Sequence, residues 1–394
     1  MGQMDFYLSV LQDIVSQPTA PYHEERVAAR IGAYLHDWGI PVTVDDAGNL
    51  IAHYQHGPAC RPLVLMAHMD HPGFTITSRS DGKEGDWRAV LEGWVARAYF
   101  ETSVAVRLYS DNWAGTSMPA RIVGYAQGGD AQDIELRLRL DDPTMDVLVQ
   151  PGDFGVWDVP DFELRDGLVY ARAIDDLAGC AAILLTLWKI ARDGWDTDIY
   201  AVFTRAEEVG LVGASMVLHS QALPYDAYIV SLEASPMMPG AVQGAGPVVR
   251  VGDRVVTFSQ DAELALKIAA YRLGSTVWQP SIHRPPAPAT TNVQRQLMSG
   301  GHCEASIASM LGYHVTGLAF PLGNYHNMAA ESTFAPENIH AHDFVTGVVV
   351  LQEAARTLPQ LAQVRAEHLA AYEPHVYQIE RLRSTSNRFG VALR

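Results

Sequence analysis

The chain has 394 residues, with 28 Lys and Arg against 45 Asp and Glu, and its formal net charge of -17 repels nucleic-acid phosphates and anionic membrane surfaces. Hydrophobic residues make up 48% and charged residues 19%, and no stretch approaches the roughly 20 apolar residues of a membrane span. Disordered, membrane-spanning and polyanion-binding classes are excluded, and at about 150 residues per domain the length suits two to three domains.

Met1 to Val15 lacks the basic start, apolar run and small-residue cleavage site of a signal peptide. Its apolar spacing (Phe6, Leu8, Val10, Leu11, Ile14), and that of Val27, Ile31 and Leu35, predicts two helices before the first strand. Leu50 to His53 reads as a strand after the turn Asp45-Asp46-Ala47-Gly48-Asn49, and Pro62 to Ala67 as a short strand buried on both faces. From Gly73 to Leu164 short alternating segments, among them Ser103 to Leu108, Ala120 to Tyr125 and Ile134 to Leu140, predict an all-β insert. Strands at Leu168 to Arg172, Ile199 to Thr204, Tyr228 to Leu232 and His314 to Phe320 then alternate with helices at Leu177 to Arg192, Ala262 to Leu273, Glu304 to Leu311 and His342 to Leu358. An α/β sheet with helices on both faces follows. The Pro-rich loop Arg284 to Thr291 is too short for a domain linker, and the last thirty or so residues are charged, with no predicted element. Cys60, Cys180 and Cys303 are odd in number and lack Cys-x-x-Cys spacing, which points to a reducing compartment, by default the cytoplasm, and away from a thiolate metal site.

Five places put an acid or a histidine just past an apolar strand, the edge where open α/β sheets bind ligands. They are His68-Met69-Asp70, Asp175-Asp176, Glu207-Glu208, Glu233 and His326. Taken singly, each has an ordinary reading: a turn histidine, a helix N-cap, a solvated acidic turn, a strand-end acid, a surface histidine. As a set they supply nitrogen and oxygen donors suited to zinc or cobalt. Two divalent ions balance three carboxylates and one hydroxide, so a buried site of this composition approaches neutrality. Asp70, two residues from His68, is placed to accept the second ring N–H of that imidazole. Glu207 is left over for proton transfer.

The order of motifs resembles the tetrahedral, or glutamyl, aminopeptidases, members of the wider clan of co-catalytic dizinc exopeptidases. The motifs are Gly48-Asn49-Leu50, HMDHPGF at 68–74, AIDDLAGCAA at 173–182, AEEVGLVGA at 206–214 and GNYHN at 323–327. The resemblance implies a mixed sheet flanked by helices as a discontinuous catalytic domain, 1–72 and 165–394, with a small β barrel inserted at 73–164. It implies two divalent metals, zinc or cobalt, with His68 and Glu208 each ligating one ion, Asp175 bridging, and Glu233 and His326 completing the pair. It also implies a cis peptide at Asp175-Asp176, Glu207 as general base with Asp70 in support, and a peptide substrate cleaved at its N-terminus. The family's insert mediates assembly into dimers and twelve-subunit shells; here Trp94, Trp113 and Tyr125 serve equally as assembly anchors or as barrel packing.

The sequence departs from the family's pattern at several points. His71 stands where Glu is usual and reads as an exposed loop histidine; Leu177 stands where Arg is usual. His302-Cys303-Glu304 replaces a Thr-Asp pair, with Cys303 read as a buried, inert thiol. Glu233 replaces Asp, a substitution familiar in carboxypeptidases and deacylases of the clan, so a dizinc carboxypeptidase or N-acyl-amino-acid amidohydrolase is the alternative reading. A non-catalytic binding protein on the same fold is disfavoured, because all the ligand types and the catalytic glutamate are present.

Overall fold

The run Leu63–His68 carries no polar residue before its last position, and such a strand is stable only with both faces covered. The computed structural model, which describes residues 2–80, 85–113, 115–127, 134–277, 289–371 and 373–386, places it inside an eight-stranded mixed sheet. Across the sheet the strands run Val42–Val44, Leu50–His56, Thr197–Thr204, Leu63–His68, Tyr228–Pro236, His314–Leu322, Val248–Arg250 and Gln294–Gln296. The four from Thr197–Thr204 to His314–Leu322 are parallel, so all four end at one edge.

Side-chain alternation divides each central strand between two cores. Leu63, Leu65 and Ala67, with Ile199, Ala201, Phe203, Val230 and Leu232, face a core shared with helices Gln3–Val15, Leu177–Asp193, Gln260–Arg272 and Ala341–Thr357. Val64 and Met66, with Val202 and Ile229, face the opposite core under Val212–His219 and Glu304–Met310. Each fully buried aliphatic side chain contributes about 1.5–3 kcal/mol, so both faces hold the strand ends in register.

The predicted insert is a closed six-stranded barrel, in the order Gly73–Arg79, Asp86–Glu92, Ile134–Leu140, Met118–Gln127, Val104–Tyr109 and Phe154–Trp157. Phe74, Ile76, Leu136, Leu138 and the fully buried Trp157 fill its interior. Trp113 and Tyr125 pack half-buried against this core, whereas Trp94 is 60% exposed.

Helix Val212–His219 is absent from the sequence reading, and three further features differ from it. The strand Leu168–Ala171 lies outside the main sheet, in a separate three-stranded sheet between Glu163–Arg165 and Glu337–His340. The edge strands Val42–Val44 and Gln294–Gln296, and Val248–Arg250 beside the latter, are three residues each, too short to show a period of two. Helices Leu361–Ala371 and Val376–Ser386 occupy the charged carboxyl-terminal region, the second without a buried residue. Residues 284–288 of the Pro-rich loop lie outside the described residues. Among those described, no helix is long and apolar enough to cross a membrane.

Candidate active site

Three of the parallel strands deliver a site residue near the same edge: His68 at the end of its strand, the Glu207-Glu208 turn just past Thr204, and Glu233, which the sequence reading places at a strand end but which lies inside a strand that runs on to Pro236. His326 follows the fourth, in the loop after Leu322, and Asp175 arrives from the smaller sheet at the start of helix Leu177–Asp193. The Asp175-Asp176 pair divides its duties across a cis peptide. Asp176 caps the helix, its Oδ1 accepting the Gly179 N–H at 3.1 Å, while Asp175 faces the histidines. A Cβ at position 179 would lie 2.3 Å from the Asp176 carboxylate, which accounts for the glycine in that motif.

The Glu207-Glu208 turn is pinned from below by buried carboxylates. Asp70, fully buried, accepts the Glu207 N–H on Oδ1 and the Glu208 N–H on Oδ2, both at 3.0 Å. Glu24, also fully buried, accepts the Ala206 N–H at 2.9 Å and the Arg205 Nε–H at 2.7 Å. Asn49 closes the turn by accepting the Arg205 N–H and donating to the Gly213 carbonyl, each at 3.0 Å. The Gly48-Asn49-Leu50 motif thus serves the glutamates from a distant part of the chain.

Both site imidazoles present the same nitrogen. His326 Nδ1–H donates to the Trp94 carbonyl at 2.6 Å and His68 Nδ1–H to the Asp70 carbonyl at 3.1 Å, so each ring turns Nε2 toward the carboxylates, the nitrogen whose lone pair a neutral imidazole would offer an ion. Sequence reasoning gives the His68 N–H to the Asp70 carboxylate; that oxygen stands at 3.7 Å and is occupied with the Glu207 turn instead. His68 Nε2 lies 3.6 Å from Asp175 Oδ1 and 4.0 Å from Glu207 Oε2. His326 Nε2 lies 3.1 Å from Glu208 Oε1 and 4.0 Å from Asp175 Oδ2.

Among the described residues, three overlapping groups bring ligand atoms within 4.8 Å of one another: His68, Asp175 and Glu233; Asp175, Glu208 and His326; and His68, Glu207 and Glu208. Within them Glu208 Oε1, Glu233 Oε1 and His326 Nε2 are buried with no hydrogen-bond partner. Acceptors turned on acceptors in a buried space are costly unless a cation lies between them, and this donor set of imidazole and carboxylate suits a divalent ion. The electrostatics say the same. Burial alone would lower both imidazoles, but Glu207 holds His68 well above its usual range and Glu208 pushes His326 up to about 9. Burial, with Glu208 and Asp175 as negative neighbours, raises Glu207 and Glu233. The cluster is short of positive charge.

His71 is a correction to the sequence reading. Its exposure is 1%; Nδ1–H donates to the Asp175 carbonyl at 2.7 Å, and Nε2 meets Asn327 Oδ1 at 2.9 Å. Pro72 and Gly73 suggest a surface turn, but the barrel and the 326–335 loop close over it. Cys303 is buried, with its thiol pushed up to about 12 by burial, and Glu304 is fully buried against the Thr204 hydroxyl. Sequence reasoning also misses Glu337, which is fully buried at the start of its strand and accepts backbone N–H groups from both the Asp175 and the His326 segments.

The family model described as M42 glutamyl aminopeptidase matches residues 48–274, more than half of the chain. The chain belongs to this family. With that membership it is a hydrolytic exopeptidase, and the matched span holds six of the seven predicted site residues, all but His326. A curated protein of Acetivibrio thermocellus, named "Putative aminopeptidase", is 27% identical over 263 residues, covering 64% of this chain and 74% of its own. Two solved structures share the fold of this M42 chain. The TET aminopeptidase of the marine sediment archaeon Thaumarchaeota archaeon SCGC AB-539-E09 has a TM-score of 0.73 at 19% identity, covering 93% of this chain and 100% of its own. The Pyrococcus horikoshii TET1 peptidase, which can assemble into a tetrahedron or a large octahedral shell, has a TM-score of 0.70 at 22% identity, covering 89% and 99%.

Proposed function

We propose that the protein is a metal-dependent aminopeptidase that removes N-terminal residues from peptides, with two divalent ions and Glu207 as general base. The observation that carries the reading is the pair of three-donor groups sharing Asp175, with His68 and Glu233 on one side and Glu208 and His326 on the other. These residues would hold the two ions, zinc or cobalt. When bound, such a pair supplies Lewis-acid polarisation of the scissile carbonyl and a water acidified toward a pKa of about 7. Glu207 belongs to neither of those two groups, and its carboxylate stands beside His68. Its Oε2 takes the proton of the attacking water and returns it to the nitrogen of the leaving amine. Asp70 holds this carboxylate in place through the backbone N–H groups of Glu207 and Glu208.

His68→Ala and His326→Ala each remove a donor from one group. Each should lower bound metal as well as turnover, read by elemental analysis of the purified variants; full metal content in either would overturn its assignment as a ligand.

Glu233 favours a second reading. It stands 7% exposed at the site, and its extra methylene relative to Asp takes space beside the His68 group. This geometry suits a carboxypeptidase or N-acyl-amino-acid amidohydrolase. Mass spectrometry of one peptide in free, N-acetylated and C-amidated forms separates the two. The aminopeptidase trims the free and amidated forms stepwise and leaves the acetylated form intact. Cleavage that requires a free C-terminus, or loss of the acetyl group, assigns the alternative.

The neighbours' shells support a homo-oligomer, a dimer or larger, for this chain too. The three free cysteines support a reducing compartment, the cytoplasm.

A further inference from the structure

The Asp175 and His326 segments come from distant parts of the sequence, yet one buried side chain holds both. Glu337 Oε2 accepts the Ile174 N–H at 2.8 Å and the Asp175 N–H at 3.0 Å, and its Oε1 accepts the His326 N–H at 2.8 Å. Its exposure is 0%, so these three bonds replace all of its hydration. A second link runs alongside. Asn327 Nδ2 donates to the Arg172 carbonyl at 2.9 Å, and Asn327 Oδ1 faces His71, which holds the Asp175 carbonyl.

We propose that Glu337 is a positioning residue that sets the spacing between Asp175 and His326, and so tunes the donor group formed by Asp175, Glu208 and His326. The inference rests on the reading of that group as a metal site. Two of its bonds hold the Ile174-Asp175 segment, which both groups share, and the third holds His326, which belongs to this group and not to the one formed by His68, Asp175 and Glu233. Its loss releases two donors of the first group against one of the second and therefore acts unequally on them. Glutamine is the informative replacement: its single amide oxygen can accept from one segment, but its NH2 then confronts the N–H of the other. No orientation of that amide satisfies both.

A structural brace with no bearing on the metal would behave differently, and the fold contains a matched control. Asp343 is a fully buried carboxylate that likewise accepts two backbone N–H groups, from Gly244 at 2.7 Å and Gly246 at 2.8 Å, in a loop carrying none of the site residues. The experiment titrates Co2+ into metal-stripped parent, Glu337→Gln and Asp343→Asn proteins, reading stoichiometry and affinity by calorimetry and the visible spectrum, with the melting temperature of each. In the parent, two equivalents bind. Glu337→Gln should keep the first and weaken the second by about tenfold to hundredfold, the range for loss of a residue that orients a ligand. Asp343→Asn should lower the melting temperature and leave both equivalents as in the parent.

Parent-like binding of both equivalents by Glu337→Gln overturns the inference while leaving the metal reading intact. Equal weakening in Asp343→Asn also overturns it, by showing a general effect of loosening the fold. A parent that takes up no cobalt overturns the metal reading and this inference with it. Should Glu337→Gln fail to fold, Asn327→Ala tests the parallel link and should weaken the same equivalent.

Discussion

Glu207→Gln should leave bound metal at the parent's level and lower kcat by about 10²- to 10⁴-fold, the usual contribution of a positioned general base. The replacement keeps size and shape, and the backbone N–H of residue 207 still donates to Asp70, so the turn carrying Glu208 stays in place. What is lost is the acceptor at Oε2 that faces the site beside His68. Neither of the two donor groups that share Asp175 needs Glu207, and this is why metal and turnover should separate. The measurement is metal content per chain alongside kcat on a dipeptide amide. Turnover within tenfold of the parent would move the base elsewhere, and loss of metal would make Glu207 a ligand. The third donor group, His68 with Glu207 and Glu208, is the geometry that second outcome would select.

The ligands are the part of this site that sequence reveals most readily, and the reason is topological. A parallel sheet ends its strands at one edge, so an acid or a histidine closing an apolar run announces itself; His68, Glu207 and Glu208 are legible in this way, and so is Glu233, although its strand continues to Pro236 beyond the apolar run that marks it. Asp175 and His326 are less so. The strand before Asp175 lies outside the main sheet, and His326 sits in an irregular loop, so the edge argument reaches them only as members of the set of five. The supports are almost illegible. Trp94 contributes only its carbonyl, which any residue carries. Glu24 and Glu337 act largely on backbone N–H groups, which carry no residue signature, and Asp70, legible from its spacing to His68, serves the Glu207-Glu208 backbone rather than the imidazole. His71 shows how local texture misleads: the Pro-Gly pair after it signals a turn, but only the tertiary fold shows that the turn is enclosed.

Asp175→Asn should have the widest effect of any ligand substitution, because Asp175 is the donor that the two principal groups share. Its Oδ1 faces His68 and its Oδ2 faces His326, so one carboxylate serves opposite sides of the site. Asparagine keeps one oxygen and turns an NH2 toward the other histidine, whose Nε2 lone pair it would then occupy. It also removes a negative charge that each ion relies on for neutralisation. Both metal equivalents should therefore fall after gel filtration into metal-free buffer, with activity lowered by more than about 10³-fold, as expected when a co-catalytic pair is lost. His326→Ala should lose one equivalent and retain the other, so the two variants differ in stoichiometry even where both are inactive. If Asp175→Asn keeps one full equivalent, Asp175 serves a single ion and the pair is bridged by another group. If it keeps two, the ions are held without it, and the shared position of Asp175 between the histidines requires a different explanation.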